Sequence, residues 1–80
     1  MLGEHHGLIN EFPEYKQRIH DLKMNDRHFD RLLEKYETID KEVFRIEEQI
    51  ENTTDDYLEE LKFKRLRLKD ELYAMLKNAS

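Results

Sequence analysis

The chain has 80 residues, a formal net charge of −5 and a charged fraction of 41%. It contains no cysteine, which excludes stabilising disulfides and fits a reducing compartment. Two glycines and one proline supply few turns, so composition disfavours a many-stranded β architecture and favours long helices. We therefore expect one all-α domain over residues 1–80, located in the cytoplasm. No membrane association is expected, since no apolar run approaches the roughly 20 residues that span a bilayer and the first residues do not read as a signal peptide.

The N-terminal quarter predicts a short helix. Its apolar residues recur at helical spacing, and they are Leu8, Phe12, Tyr15, Ile19 and Leu22. Pro13 suits a first helical turn, and Asn25 is a good N-cap for the helix that follows. These signals predict a helix near 13–24, preceded by a short helical turn near 5–11. An alternative stays open, because an unbroken seven-residue repeat from Leu8 to Ile50 would make the first two helices nearly continuous.

The rest of the chain carries two apolar stripes that predict a coiled-coil-like antiparallel helical hairpin. Both stripes alternate steps of three and four residues, which buries one side of each helix against the other. The first comprises Phe29, Leu32, Tyr36, Ile39, Val43, Ile46 and Ile50, and the second comprises Leu58, Leu61, Arg65, Leu68, Leu72 and Met75. Thr53 or Thr54 can N-cap the second helix. Because the connection is short, helices near 26–51 and 54–77 are expected to pack antiparallel.

The register of the hairpin follows from the two stripes. They mesh along their whole length when Ile39 lies opposite Leu68. Arg65 is the one charged residue in this seam. We expect its stem to pack on apolar neighbours while its guanidinium reaches the carboxylate of Asp40 or Glu42.

Apolar residues outside the seam predict an interaction surface. In this register Ser80 lies opposite residue 28, so the last helix cannot cover the stripe at 8–22, which must fold back or pack on another chain. Left exposed together, the remaining apolar residues would form a larger patch than soluble monomers usually tolerate. We expect a homo-oligomer or a helical protein partner, contacted through Phe12, Ile19, Leu33, Phe44, Phe63, Leu66, Tyr73 and Leu76. Phe63 and Leu66 in particular are expected to be partly covered, by the N-terminal helix or by a second chain.

A basic segment at 62–69 offers an alternative function, that of a nucleic-acid-associated regulator. Its basic residues are Lys62, Lys64, Arg65, Arg67 and Lys69. On a helix, Lys64 and Arg67 lie nearly opposite the other three, whereas affinity for nucleic acid needs many phosphate contacts made together. Carboxylates across the hairpin can also neutralise part of this charge. Nucleic acid is therefore the less favoured partner.

Residues that could carry chemistry are sparse. The sequence has no Gly-rich phosphate loop and no HExxH-type spacing. Of its four histidines, the adjacent His5 and His6 would point about 100° apart on a helix and rarely share one ion, and His20 and His28 are expected in structural or surface roles. Catalytic carboxylates need a concave site, which a short hairpin hardly provides. We expect a non-enzymatic protein with no catalytic residue, no cofactor, no metal and no small-molecule substrate.

Two segments of the chain resemble a known family. They read "LKMNDRHFDRLLEKYETIDKEVFRIE" and "LKFKRLRLKDELYAML", and they are similar to the YdcH-like family of small bacterial proteins of uncharacterised function. The likeness covers roughly residues 5–76 and is most specific at His28–Phe29, Tyr36–Asp40 and 66–72. The resemblance implies a helical hairpin with a short N-terminal helix. It implies no activity and carries over no site residue, which leaves an interaction or self-association module as the favoured function.

Overall fold

The computed structural model describes residues 7–48 and 54–78 of the chain, and it is all-α. Its elements are α1 (Leu8–Glu11), a 3-10 helix (Pro13–Tyr15), α2 (Lys16–Asn25), α3 (Arg27–Glu47) and α4 (Asp55–Asn78). The helices α3 and α4 pack against each other as a hairpin, and no strand occurs within the two described ranges. The predicted all-α hairpin is confirmed.

The N-terminal segment begins with two short helical pieces. The turn predicted near 5–11 is α1, and the part of that prediction at residues 5 and 6 lies outside the described residues. Phe12 then leaves the helical region, with φ −132° and ψ 66°, because a residue before proline is pushed towards extended conformations. The predicted 13–24 helix starts at Pro13 as a 3-10 turn and becomes α-helical from Lys16.

The chain breaks between α2 and α3 at Asp26, so the alternative of one nearly continuous helix is wrong. Asp26 is extended, with φ −125° and ψ 108°, and its Oδ1 accepts a hydrogen bond of 3.1 Å from the backbone N–H of Phe29. Asp26, not Asn25, is therefore the N-cap of α3. A carboxylate at this position also complements the positive end of the helix dipole. Asn25 ends α2, and its Nδ2 donates to the backbone oxygen of Asp21 at 2.8 Å.

The connection between α3 and α4 lies largely outside the described residues, which resume at Thr54. Thr54 caps α4, because its Oγ1 accepts a hydrogen bond of 3.2 Å from the backbone N–H of Tyr57. The helix predicted over 26–51 is α3, described as helical up to Glu47. Residues 49–53, with the other predicted cap Thr53 and the seam residue Ile50, are outside the described ranges.

The core has two parts, and the N-terminal segment supplies one side of the first. The first part comprises Leu8, Ile19, Phe29, Leu32, Leu33, Tyr36, Leu72 and Leu76. The second part lies nearer the connection and comprises Val43, Ile46 and Leu61, with Ile39 and Leu58 packed against it. A hydrogen bond of 2.8 Å from Arg18 Nη1 to the backbone oxygen of Leu76 also joins α2 to the end of α4. The N-terminal stripe therefore folds back onto its own hairpin.

Two ion pairs join α3 to α4, and each joins residues within one helical turn of those that the predicted register places opposite each other. Arg65 Nη1 lies 2.9 Å from Asp40 Oδ1, and Lys62 Nζ lies 3.0 Å from Glu47 Oε2. Asp40 is 3% exposed, so the charge that Arg65 meets is buried in the helix interface. The expected carboxylate partner of Arg65 is thus confirmed as Asp40.

Candidate functional site

Three of the residues expected on an interaction surface belong to the core instead. Ile19, Leu33 and Leu76 are 3%, 5% and 0% exposed. They are covered because the N-terminal segment docks between the start of α3 and the end of α4. A partner cannot contact these side chains while the chain is folded in this way, so they are reassigned to the core.

Phe12 and Phe44 are half-buried. Phe12 contacts α4, and this contact extends the N-terminal segment along α4 as far as Tyr73. The rings of Phe12 and Tyr73 are stacked with centroids 4.8 Å apart, and Tyr15 meets Tyr73 edge-on at 6.2 Å. This contact covers one side of Tyr73 and leaves its residue 37% exposed.

Large apolar side chains stay exposed on the outer side of α4. Phe63 is 60% exposed and Leu66 is 48% exposed. The expectation that the N-terminal helix covers them is wrong, because that segment packs at the far end of α4, around Tyr73 and Leu76. Phe63, Leu66 and Tyr73 lie at helical spacing. Together they form a surface that we call the α4 strip.

Cations border the α4 strip at two places. The guanidinium carbon of Arg67 lies 5.9 Å from the centroid of the Phe63 ring, and Lys77 Nζ lies 5.5 Å from that of Tyr73. Such contacts contribute about 0.5–1 kcal/mol at exposed sites. They orient the charged ends beside the rings without removing the rings from water.

The basic segment 62–69 does not present one continuous basic face. Lys62 and Arg65 are directed at carboxylates of α3, and Lys64 Nζ lies 3.6 Å from Glu60 Oε1 within α4. Arg67 lies over Phe63, and Lys69 is half-buried. The five cations thus point in several directions and are partly neutralised, as the sequence pattern predicts.

A groove between α3 and α4 was not predicted from the sequence. It has a volume of about 680 Å³ and lies between residues 31–39 of α3 and 64–71 of α4. Its apolar floor includes Ile39 and Leu68, and its rims carry Arg31, Lys35, Lys64 and Arg67. We call it the hairpin groove. A signal was present in the sequence, since the predicted register already places these basic residues on either side of one apolar pair.

A buried tyrosine lies close to the ion pair at the centre of the hairpin. Burial, with a smaller effect of the Asp40 carboxylate, raises the pKa of Tyr36 to about 12 from an ordinary value of 10.0. The residue is 1% exposed. The phenol is therefore held in its neutral form by the fold.

This pKa predicts a loss of stability at alkaline pH. Up to pH 10 the Tyr36 phenol is protonated in both states, whereas between pH 10 and about 12 only the unfolded state releases the proton. The free energy of unfolding should then fall by up to about 1.4 kcal/mol per pH unit. Urea unfolding at several pH values tests this, with Tyr36→Phe as the control. A Tyr36→Phe variant as sensitive to alkali as the parent would contradict the assignment.

The described parts of the chain contain neither a cluster of metal-binding side chains nor a membrane-spanning helix. Within residues 7–48 and 54–78 no three His, Asp or Glu side chains are grouped to hold a metal ion. His20 and His28 are both exposed, and His5 and His6 are outside the described ranges. None of the described helices has the length and apolar character needed to cross a bilayer. The cytoplasmic location stays a prediction.

Comparison with known proteins places the hairpin in a family. The family described as a protein of unknown function, DUF465, matches residues 29–76, which is more than half of the chain. The chain belongs to the DUF465 family. The matched range covers α3 from Phe29 and α4 as far as Leu76, so the DUF465 match contains both the α4 strip and the hairpin groove. No curated protein and no solved structure matches the chain. The YdcH-like name stays a prediction.

Proposed function

We propose that this chain is a non-enzymatic protein-interaction module that associates with a second copy of itself through the α4 strip. The observation that carries the proposal is the exposure of Phe63 and Leu66 after the hairpin seam is filled and the N-terminal segment has folded back. Within residues 7–48 and 54–78 the helices pack on one another and still leave these side chains exposed, which favours a second molecule as their cover.

The free energy available from this surface is large for so small a domain. Fully burying a Leu or Phe side chain contributes about 1.5–3 kcal/mol. Domains of this size are marginally stable, with total stabilities of about 5–15 kcal/mol. Covering the exposed parts of Phe63, Leu66 and Tyr73 in a dimer would add a substantial share of that stability.

The charges beside the α4 strip favour a second copy in antiparallel orientation. Glu59 and Lys77 are 18 residues apart, which is five helical turns, so they share one edge of α4. When two α4 helices pack antiparallel around a two-fold axis near Leu68, Glu59 lies level with the partner's Lys77 and Phe63 lies level with the partner's Tyr73. The antiparallel arrangement thus brings together opposite charges and aromatic rings at the same time. Because of the two-fold symmetry, each of these pairs occurs twice in the dimer.

Polar substitution of the α4 strip should weaken association without unfolding the chain. The parent is expected to show a mass above 9.9 kDa that rises with concentration. Phe63→Ser with Leu66→Ser should weaken this association by at least about tenfold. Light scattering after size-exclusion chromatography measures the masses. Met24→Ser is the matched control, because Met24 is 71% exposed and lies outside the strip.

Charge reversal tests the orientation in the same assay. Glu59→Lys and Lys77→Glu should each weaken association, and their combination in one chain should restore it. A parent that stays monomeric at high concentration would contradict the proposal, as would a Phe63→Ser, Leu66→Ser variant that associates like the parent.

Nucleic-acid binding through 62–69 remains the weaker alternative. Its local charge is real, but Lys62 and Arg65 are each held at about 3 Å by a carboxylate of the same chain. Phosphate groups would have to displace these partners before making the joint contacts on which affinity depends.

A further inference from the structure

The hairpin groove lies outside the α4 strip, and the proposed self-association leaves it open. We propose that it binds an acidic amphipathic helix of another protein. Residues 7–25 do not fill it, because every described residue that lines it belongs to α3 or α4. The proposal does not depend on whether the chain forms dimers.

The chemistry of the groove is complementary to an acidic partner. Ile39 and Leu68 are half-buried in its floor, so each keeps apolar surface that a partner side chain can cover. The rims carry four cations against the two carboxylates of Glu34 and Glu71, in a chain whose net charge is −5. The local charge is thus opposite in sign to that of the whole protein, which directs acidic segments to this place.

The rim cations are available for new pairs. Lys64 has only a 3.6 Å contact with Glu60 between two exposed side chains, and such pairs contribute little. Within residues 7–48 and 54–78, no ion pair involves Arg31 or Lys35. By contrast, Lys62 and Arg65 lie outside the groove and are held at about 3 Å by carboxylates of α3. The hairpin therefore uses Lys62 and Arg65 internally. Of the groove cations, Lys64 makes a weak ion pair and Arg67 lies over the Phe63 ring, with no carboxylate partner for Arg67 among the described residues.

The dimensions of the groove suit a helix. From Arg31 to Ile39 the groove follows α3 for about 12 Å, at 1.5 Å per residue. A partner helix lying along it would make contact over about two turns, with apolar anchors at i, i+3 or i+4, and i+7 and with carboxylates on both flanks. It would occupy the position of the next helix in a bundle, at the usual spacing of about 8–10 Å between helix axes.

A nucleic acid fits this groove less well. Glu34 and Glu71 line it among the cations and would repel a phosphate backbone. No aromatic residue lines it, so a base would have no ring to stack on. A helix avoids both problems, because its side chains can place carboxylates beside the cations and leave the two acids in water.

A designed peptide tests the proposal. The probe is a labelled peptide of about 14 residues, long enough to hold a few helical turns, with Leu along one side and Glu on both flanks. The control peptide has the same composition in scrambled order. We expect the amphipathic peptide to bind the full chain, and the strongest amide shift changes in its NMR spectrum to lie at Ile39 and Leu68.

Two charge-matched variants locate the binding. Lys35→Glu with Arg67→Glu should weaken peptide binding by at least about tenfold. Lys16→Glu with Lys23→Glu makes the same change in net charge on α2, away from the groove, and should leave binding within about twofold of the parent. All four side chains are exposed, so neither variant disturbs the core. Phe63→Ser with Leu66→Ser should also retain peptide binding, which separates this result from the fate of the proposed self-association.

Three outcomes would overturn the proposal. One is equal binding of the scrambled peptide, and another is unchanged binding by the Lys35→Glu, Arg67→Glu variant. The third is competition between the peptide and a second copy of the chain. That result would assign the hairpin groove to another molecule of this chain.

Discussion

Replacing Arg65 by Met should destabilise the chain by about 3 kcal/mol. The substitution leaves the Asp40 carboxylate, 3% exposed, in the helix interface without the cation that lies 2.9 Å away. Removing one member of a buried ion pair costs about 3–5 kcal/mol. We expect a loss at the lower end of this range because the Arg65 side chain is 23% exposed. Water therefore lies close to Asp40 and can solvate its carboxylate in the variant. Urea unfolding monitored by circular dichroism measures the change.

The matched variant removes both charges. Asp40→Leu together with Arg65→Met should lie within about 1 kcal/mol of the parent, because two apolar side chains can replace a buried ion pair at little cost. If the double variant were as unstable as Arg65→Met alone, the loss would come from packing and not from the unpaired carboxylate.

Leu72→Ala should cost about 3–4 kcal/mol, a loss that can unfold a domain of this size. Leu72 is 0% exposed and belongs to the larger part of the core, which also contains residues of α3 and of the N-terminal segment. The same substitution at Leu66, which is 48% exposed on the same helix, should cost less than about 1 kcal/mol.

Thermal melts of the two variants at low concentration, where association is absent, give the comparison. Equal melting temperatures would show that Leu72 does not lie in the core. A large loss for Leu66→Ala at low concentration would show that Leu66 is already covered within the monomer.

The hairpin could be predicted because its cause is local. Alternating steps of three and four residues place Phe29, Tyr36 and Val43 on one side of α3, and all three are buried. The ion pair of Arg65 was predicted by the same reasoning. An arginine in an apolar seam needs a carboxylate for its guanidinium, and Asp40 lies within reach.

The docking of the N-terminal segment could not be predicted, because it depends on a choice between equivalent partners. The apolar stripe containing Ile19 could pack on its own hairpin or on another chain, and the chemistry of both contacts is the same. The structure selects the first, which is why Leu33 and Leu76 turned out to be core residues. The start of α3 was misplaced for a similar reason, since Asn25 and Asp26 are adjacent and both are good N-caps.

The candidate site was predicted only in part. Phe63, Leu66 and Tyr73 were identified as apolar residues outside the seam, and the structure leaves them exposed. The hairpin groove was missed because a groove depends on how two helices are rotated and spaced, which a stripe of apolar residues does not specify.

The proposed contact between Phe63 and Tyr73 of a second copy can be measured directly, and this measurement is the sharpest test of self-association through the α4 strip. In a mixture of isotope-labelled and unlabelled chains, filtered NMR experiments report contacts between different copies only. We predict NOEs from the ring of Phe63 to the ring of the partner's Tyr73, and their weakening in the Glu59→Lys variant, which keeps both rings. Associated chains whose intermolecular NOEs arise elsewhere, with none from Phe63 or Leu66, would contradict the account.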